Sequence, residues 1–438
     1  MEVVLVKVMI ALGCGLLGAW VLRSRVLELS ERAFVRWALG LQVIPAVVLF
    51  VALYGIGHQE PTSDVPAFYL PDAHAALAGQ IPVRDFALSY APLFPYIAAG
   101  LVSLWDSGKV FALFDILLNA VALLLWHAAA RQCHDRATAR QATILYASSG
   151  HMAVQALLGA NQTWIGVALA ASTFLLLRNR DFGAGMIQAV AAGTTKVLAH
   201  LFWPVLWIFA ARRSAWLLGA VAPVLGLYGV FVALGAGGGL LHPLLYESGK
   251  MSSGNLPYLL AAAFGGSTAA ERFILDGLTL ASLAVAFAWL FSRTRTVPPE
   301  GRPRLLPAGL ALVGLVLMCF SKKSFTGYVV FVMYPLVLML LAGLGNARAR
   351  TGFLLAFNVL LVAEPTLWFR LGGFNRPLRT WFAGGGGLAA IGFVCVDVAL
   401  LAAYVYLGWL TIGWVERNVA GATADKKATQ SATACSLV

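Results

Sequence analysis

The sequence predicts an all-α polytopic membrane protein of about thirteen transmembrane helices, with juxtamembrane helices in its first large outer loop. Three observations carry that prediction. Of 438 residues, 60% are hydrophobic and 11% charged, whereas a soluble domain carries roughly 25% charge. Apolar runs near the ~20 residues needed to cross a bilayer recur from end to end. Arginines gather at alternate ends of those runs, as they do when basic loops stay on the cytoplasmic side.

Val3 to Leu22 is the first run. No small-residue cleavage site precedes RSRVLELSER, so the run reads as a retained helix. Residues 1–36 are this helix and a cytoplasmic loop holding Arg23, Arg25, Arg32 and Arg36. Trp37 to Ile56 is the second crossing and opens a module at 37–213. It leads into a loop, 57–108, that interrupts the apolar pattern with SDVPAFYLPDAHAALAGQIPVRDFALSYAPLFPY (Ser63 to Tyr96). Pro61, Pro66, Pro71, Pro82, Pro92 and Pro95 fix φ and break helices, which gives this loop a defined shape. Long structured loops of this kind are usually functional.

Pro92 to Trp105 is apolar but about 14 residues long, too short for a standard crossing. Were it to cross, every later arginine cluster would change sides. It therefore lies along the outer face. Lys109 to Ala130 crosses next, and the arginines at 131, 136, 140, 178 and 180 fall inside. Gly183 to Val197 and Ala199 to Ala211 are short and meet near Lys196. Trp216 to Leu234, Thr326 to Leu344 and Leu388 to Leu410 lie in a second module, 214–415. The segment 416–438 is small, polar and expected to be disordered.

On this threading about 20 of the 31 lysines and arginines lie inside. The net charge of +12 is thus a topology signal, and the partner it implies is the bilayer, with no nucleic acid. The polar segments left facing outward are few. They are the 57–108 loop, GANQT at Gly159 to Thr163, the Thr194–His200 turn, Leu240 to Tyr258, SKKSF at Ser321 to Phe325, and Trp368 to Trp381. All can converge on one outer-leaflet site. The five scattered cysteines suggest neither a disulfide framework nor a metal site. The ending CSLV is a chance likeness to a prenylation box. His127, His134 and His151 lack ligand spacing, and no nucleotide or nucleophile-elbow fingerprint is present. No cofactor and no metal are expected.

Asp64 stands where the outer loop meets the membrane, a position suited to a general base. The alternative for it is a solvated loop acid. Arg84 and Asp85 are either a substrate-binding pair or an ion pair that pins the loop. Tyr69 and Tyr90 offer ring faces suited to a sugar or headgroup. Lys196 lies in otherwise apolar GTTKVLAHLFWP and needs an anion, a cavity or a path to the interface. Lys322 and Lys323 run against the inside bias and suit a lipid phosphate, or they snorkel. Asp115 and Asp397 are intramembrane acids that can equally mark an ion pathway.

The loop motif SD-x3-FY followed by ALAGQIPVRDFALSYAPLFPY resembles the first outer loop of family 87 glycosyltransferases. These are polyprenol-phosphate-mannose-dependent enzymes with the GT-C membrane fold, and GPI mannosyltransferase I proteins share a related pattern. Gly79, Pro82, Arg84, Phe86, Tyr90, Pro92 and Leu93 fall in step. GANQTWIGVALAASTFLLLRNRDFGAGMIQAVAAGTTKVLAHLFWPVL is similar to the family's second block, and SKKSFTGYVVF to a stretch of the GPI enzymes. Val83 replaces the usual tyrosine, Ala91 the first of two prolines, Asn161–Gln162 inverts the expected order, and Pro66 removes an Asp-x-Asp pair. The resemblance implies a GT-C catalytic module and a sugar, such as mannose, moved with inversion from a polyprenyl-phosphate donor to a glycolipid or glycan acceptor at the outer face of the plasma membrane. It carries Asp64 over as the base. It implies substrate contacts from Arg84, Asp85, Tyr69, Tyr90, Asn161, Gln162, Lys196, His200, Lys322, Lys323 and Tyr328. A flippase for lipid-linked sugars, with Asp115, Lys196 and Asp397 as pathway charges, and an O-antigen-type ligase or polymerase are the alternatives.

Overall fold

The structure, a computed structural model, describes residues 2–62, 64–243, 245, 250–264, 269–298, 301–371 and 387–435. Ser63, parts of the outward segments 240–258 and 368–381, and the last three residues of the CSLV ending lie outside the described residues. The described chain is all-α. Its helices are α1 (Glu2–Arg23), α2 (Glu31–Phe50), α3 (Leu70–Leu77), α4 (Phe94–Leu104), α5 (Lys109–Cys133), α6 (Arg136–Ala147), α7 (Gly150–Leu157), α8 (Gln162–Leu176) and α9 (Asp181–Thr194). They continue as α10 (Trp203–Phe209), α11 (Arg213–Ala233), α12 (Leu256–Phe264), α13 (Ala269–Thr296), α14 (Arg302–Phe320), α15 (Met333–Gly343), α16 (Ala347–Arg370) and α17 (Gly387–Cys435).

Eight described helices are long and apolar enough to cross a membrane, and four shorter apolar helices accompany them. Thr326 to Leu344, read above as one apolar run, divides into a 3-10 turn at Thr326–Phe331 and α15. Gly327, three valines and Pro335 explain the break, since each disfavours continuous helix. The backbone of α17 continues through much of the segment expected to be disordered, where alanine favours helix.

Two ends of the bundle are fixed by side-chain and loop contacts. At one end, the buried Arg140 donates to the Leu27 and Leu29 carbonyls at 2.7 Å each and to Glu31 at 2.7 Å. Arg136 bonds the Leu29 carbonyl, Asp181 accepts the Ala211 and Arg212 amides, and Arg293 pairs with Glu416 at 2.8 Å. At the other end, Lys109 pairs with Glu60 at 2.8 Å, His242 contacts the Leu88 carbonyl, and Lys322 pairs with Asp276 at 2.7 Å. The arginine-rich end therefore opposes the end that carries the 57–108 loop.

The short α4 stays at the loop-bearing end. Before it, the Ala91 and Leu93 amides bond the Thr195 and Gly193 carbonyls. After it, α5 starts beside Glu60 at that same end. Eleven residues rise only about 16 Å as helix, half of a hydrocarbon core of ~30 Å.

Helix α14 is central and largely buried, while α1 is largely exposed and faces the outside of the bundle. The exposed leucines of α1, such as Leu16, and its tryptophan, Trp20, are what a lipid-facing helix presents. Close crossings rely on small residues. A Cβ on Gly185 of α9 would stand 2.3 Å from the Trp216 carbonyl oxygen, and one on Gly219 of α11 would stand 2.3 Å from that of Phe182. Both obstacles are backbone, so neither side can yield by changing rotamer. Gly219→Leu is expected to cost about 1–3 kcal/mol or more, read as a fallen thermal midpoint in detergent. An unchanged midpoint would remove this crossing as a fixed contact.

Candidate active site

The loop builds its site from two stripes with a spacing of four. Val65, Tyr69 and Ala73 form one, and Tyr90, Phe94, Ala98 and Val102 form the other, all buried in a single cluster with Phe111 and Trp164. Spacing by four puts side chains on one helical face. The rings interlock edge-on: Tyr69 lies 4.7 Å from Phe94 and 5.2 Å from both Tyr90 and Phe111. Such aromatic pairs add ~0.5–1.5 kcal/mol each beyond their buried area. The box fixes the backbone on either side of Asp64 and Tyr90.

Asp64 heads the Val65–Tyr69 turn, with Pro66 in its first turn. Its Oδ2 accepts from the Tyr90 hydroxyl at 2.6 Å and from Lys196 Nζ at 3.3 Å. Lys196 Nζ also lies 5.0 Å from the centre of the Tyr90 ring, within cation–π range. Oδ1 has no described hydrogen-bond partner. Burial drives the Asp64 carboxyl up, but the Lys196 ammonium and the Tyr90 hydroxyl outweigh it, so it rests below its ordinary value. Burial likewise pulls Lys196 down, and Asp64 overcomes that and raises it. The pair is ionised on both sides at neutral pH.

Asp64 and Lys196 open onto a cavity of about 640 Å³, within the range of small-molecule sites. Among the described residues five cationic side chains line it, Lys7, Lys196, Lys250, Lys323 and Arg370, against one carboxylate, Asp64. Gln155, Gln162, Thr326 and Ser89 add polar contacts, and Phe68, Leu361, Pro365 and Phe369 give it apolar wall. Lys323 is pushed down to about 7, first by burial and then by the charge of Lys196.

The sequence candidates divide clearly. Asp64, Tyr90, Gln162, Lys196 and Lys323 line the cavity together. Tyr69 is fully buried in the box, and its hydroxyl accepts the Asn161 amide at 3.0 Å. Asn161 is buried behind it, and Tyr328 is buried against Phe331. Arg84 and Asp85 bind each other at 2.8 and 2.9 Å on the loop surface, where Asp85 also accepts the Ile81 amide. That geometry is the one expected of an ion pair that pins the loop, and neither side chain lines the cavity. His200 sits by the Trp203 ring, at 4.7 Å, off the cavity wall. Lys322 turns from its neighbour Lys323 to Asp276 and the Arg272 carbonyl.

Lys7, Lys250 and Arg370 are lining residues that motif reading missed. An intramembrane lysine in α1 and cations in two outward segments were the available signals. Of the charges a transport path would connect, Lys196 lines the cavity, whereas Asp115 accepts from the Trp164 indole at 2.9 Å and Asp397 is buried elsewhere. Among the described residues no group of three or more His, Cys, Asp or Glu is placed to hold a metal ion.

No family model matches the chain, and no curated protein matches it. Among solved structures, the crystal structure of ArnT from Cupriavidus metallidurans bound to undecaprenyl phosphate is similar at a TM-score of 0.43 and 15% identity. The alignment covers 84% of this chain and 77% of that one.

Proposed function

We infer that the chain is an integral membrane glycosyltransferase of the GT-C type, which moves a sugar from a polyprenyl phosphate to an acceptor hydroxyl with inversion. One observation carries this: a half-buried carboxylate, bonded to a lysine, shares a single cavity with several cations at the loop-bearing end. A base and an anion receptor are the two parts that such a transfer requires. Hexoses such as mannose fit the sequence resemblance. The opposite, arginine-rich end is cytoplasmic by the positive-inside rule, which sets the cavity at the outer face of the plasma membrane.

In the proposed step, the acceptor hydroxyl gives its proton to Asp64 as its oxygen attacks the anomeric carbon. The bond from that carbon to the phosphate oxygen breaks, and the phosphate keeps the electron pair. Attacking and leaving oxygens lie on opposite faces of the sugar, so base and phosphate are about 6 Å or more apart. Lys196, bonded to Asp64, is placed to hold the carboxylate ionised and oriented. Lys323 and Lys250 would receive the developing phosphate charge. Lys322, held by Asp276, and Arg84, held by Asp85, have no part in the step.

The reading is tested with the purified chain and a radiolabelled hexosyl-phosphoryl-undecaprenol, a phosphodiester whose single charge does not titrate near neutrality. Lys323 is half protonated near pH 7 in the empty site, and a bound anion favours its charged form. Donor affinity should therefore be greatest below pH 7, fall as pH rises towards 9, and bind with proton uptake at pH 8. Lys323→Gln should weaken binding about tenfold and flatten that dependence. Failure of the wild-type chain to retain or use any polyprenyl-phosphate sugar would sink the assignment.

A further inference from the structure

We propose that the mouth of the cavity between α1 and α16 is a second anion subsite, which seats the anionic headgroup of a lipid-anchored acceptor on Lys7 and Arg370. The proposal rests on the transferase reading and specifies the acceptor's chemical class.

The cations of the cavity stand on different elements. Those bearing on Asp64 are Lys196 and Lys250, and Lys323 responds to both members of the Asp64–Lys196 pair. Lys7 and Arg370 belong to other elements, the outer turn of α1 and the last residue of α16, two helices that pack along each other. Among the described residues neither pairs with an acid within 4 Å. A lysine this close to a helix end can snorkel to the interface, yet Lys7 lines the cavity.

The surroundings describe the ligand. Val3 of α1 and Leu361, Val362, Pro365 and Phe369 of α16 line the cavity, and Val3 and Phe369 are 47% and 56% exposed on the outside. An apolar, outward-facing rim with a lysine and an arginine inside it matches an amphiphile, with acyl chains along the rim and an anionic phosphodiester within. Arginine contributes a planar fork and lysine a point charge to such a group. A second polyprenyl donor is the less suited occupant, because the leaving phosphate must lie within reach of Lys323 and Lys250.

Native mass spectrometry of the full chain released from phosphatidylglycerol or phosphatidylcholine nanodiscs tests this, with hexosyl-phosphoryl-undecaprenol retention measured in parallel. Wild-type protein should retain phosphatidylglycerol over phosphatidylcholine about tenfold. The Lys7→Gln/Arg370→Gln chain should lose that preference and keep donor retention, and Lys7→Arg/Arg370→Lys should restore it. A preference unaltered in the glutamine variant overturns the proposal. So does an equal loss of donor retention, which would make the mouth the donor's own phosphate seat. A wild-type chain that retains phosphatidylglycerol selectively but no donor would instead defeat the transferase reading while leaving the lipid subsite standing.

Discussion

Asp64→Asn is expected to lower transfer by about 10²–10⁴-fold, the usual contribution of a positioned proton acceptor, while leaving donor retention and folding in place. The amide has the shape of the carboxylate and can still accept from Tyr90, so the aromatic box that fixes the loop is undisturbed. What it cannot do is take a proton. Lys196 loses its counter-charge in this variant, yet Lys250 and Lys323 still line the cavity, and the donor phosphate would find no fewer partners. The informative result is thus a split, with product formation from radiolabelled donor gone and donor binding kept. Turnover at the wild-type rate would remove Asp64 from the chemistry. Loss of both together would mean that the aspartate serves the loop's structure.

The crossings were legible because lipid demands long apolar helices, and α1, α2, α5 and α11 announce themselves by composition alone. The thread of arginines also placed α4 on one side of the membrane, and the contacts of Ala91, Leu93 and Lys109 put both of its ends at the same end of the bundle. Asp64 and Lys196 stood out locally, one by its proline-bound loop and the other by its apolar neighbours. They lie 132 residues apart in sequence, and the bond between them follows from the close approach of α9's end to the loop.

Other parts of the site had no local signal. Lys322 and Lys323 are adjacent and chemically identical, and an acid on α13, Asp276, decides which one faces the cavity. Nothing near the lysines records that choice. Tyr69 and Tyr90 look equivalent in the loop, yet only Tyr90 lines the cavity, because Tyr69 lies one turn deeper in the box and meets the Asn161 amide. Lys7 and Arg370 sit more than 300 positions apart, and only the packing of α1 on α16 joins them. Tertiary approach, which periodicity does not encode, separates the sequence candidates that share the cavity from those that do not.

Lys196→Met should give the second large effect, and its signature lies in pH. With the ammonium present, Asp64 stays below the ordinary carboxylate value despite burial, so the acid limb of the rate profile is expected well below neutrality, apart from the alkaline fall that Lys323 brings. Removing the ammonium takes away the largest opposing influence and leaves desolvation in command. The carboxyl then rises, and at neutral pH part of the enzyme carries a proton where the acceptor's must go. Breaking a buried pair costs ~3–5 kcal/mol. The two side chains here are 13% and 27% exposed, so the low end applies to stability, while the rate at pH 7 should drop by up to about 10²-fold, the lower end of what a positioned base contributes. Because the defect is protonation, part of the loss should return as pH is raised, with the acid limb of the rate profile displaced upward. A donor-binding role for Lys196 predicts a different pattern, a raised KM with the acid limb unmoved. Combining Lys196→Met with Asp64→Asn should add little to the slower single variant, since a methionine has no carboxylate left to affect. A profile for Lys196→Met that superimposes on the wild-type curve after scaling would break the link between these two side chains.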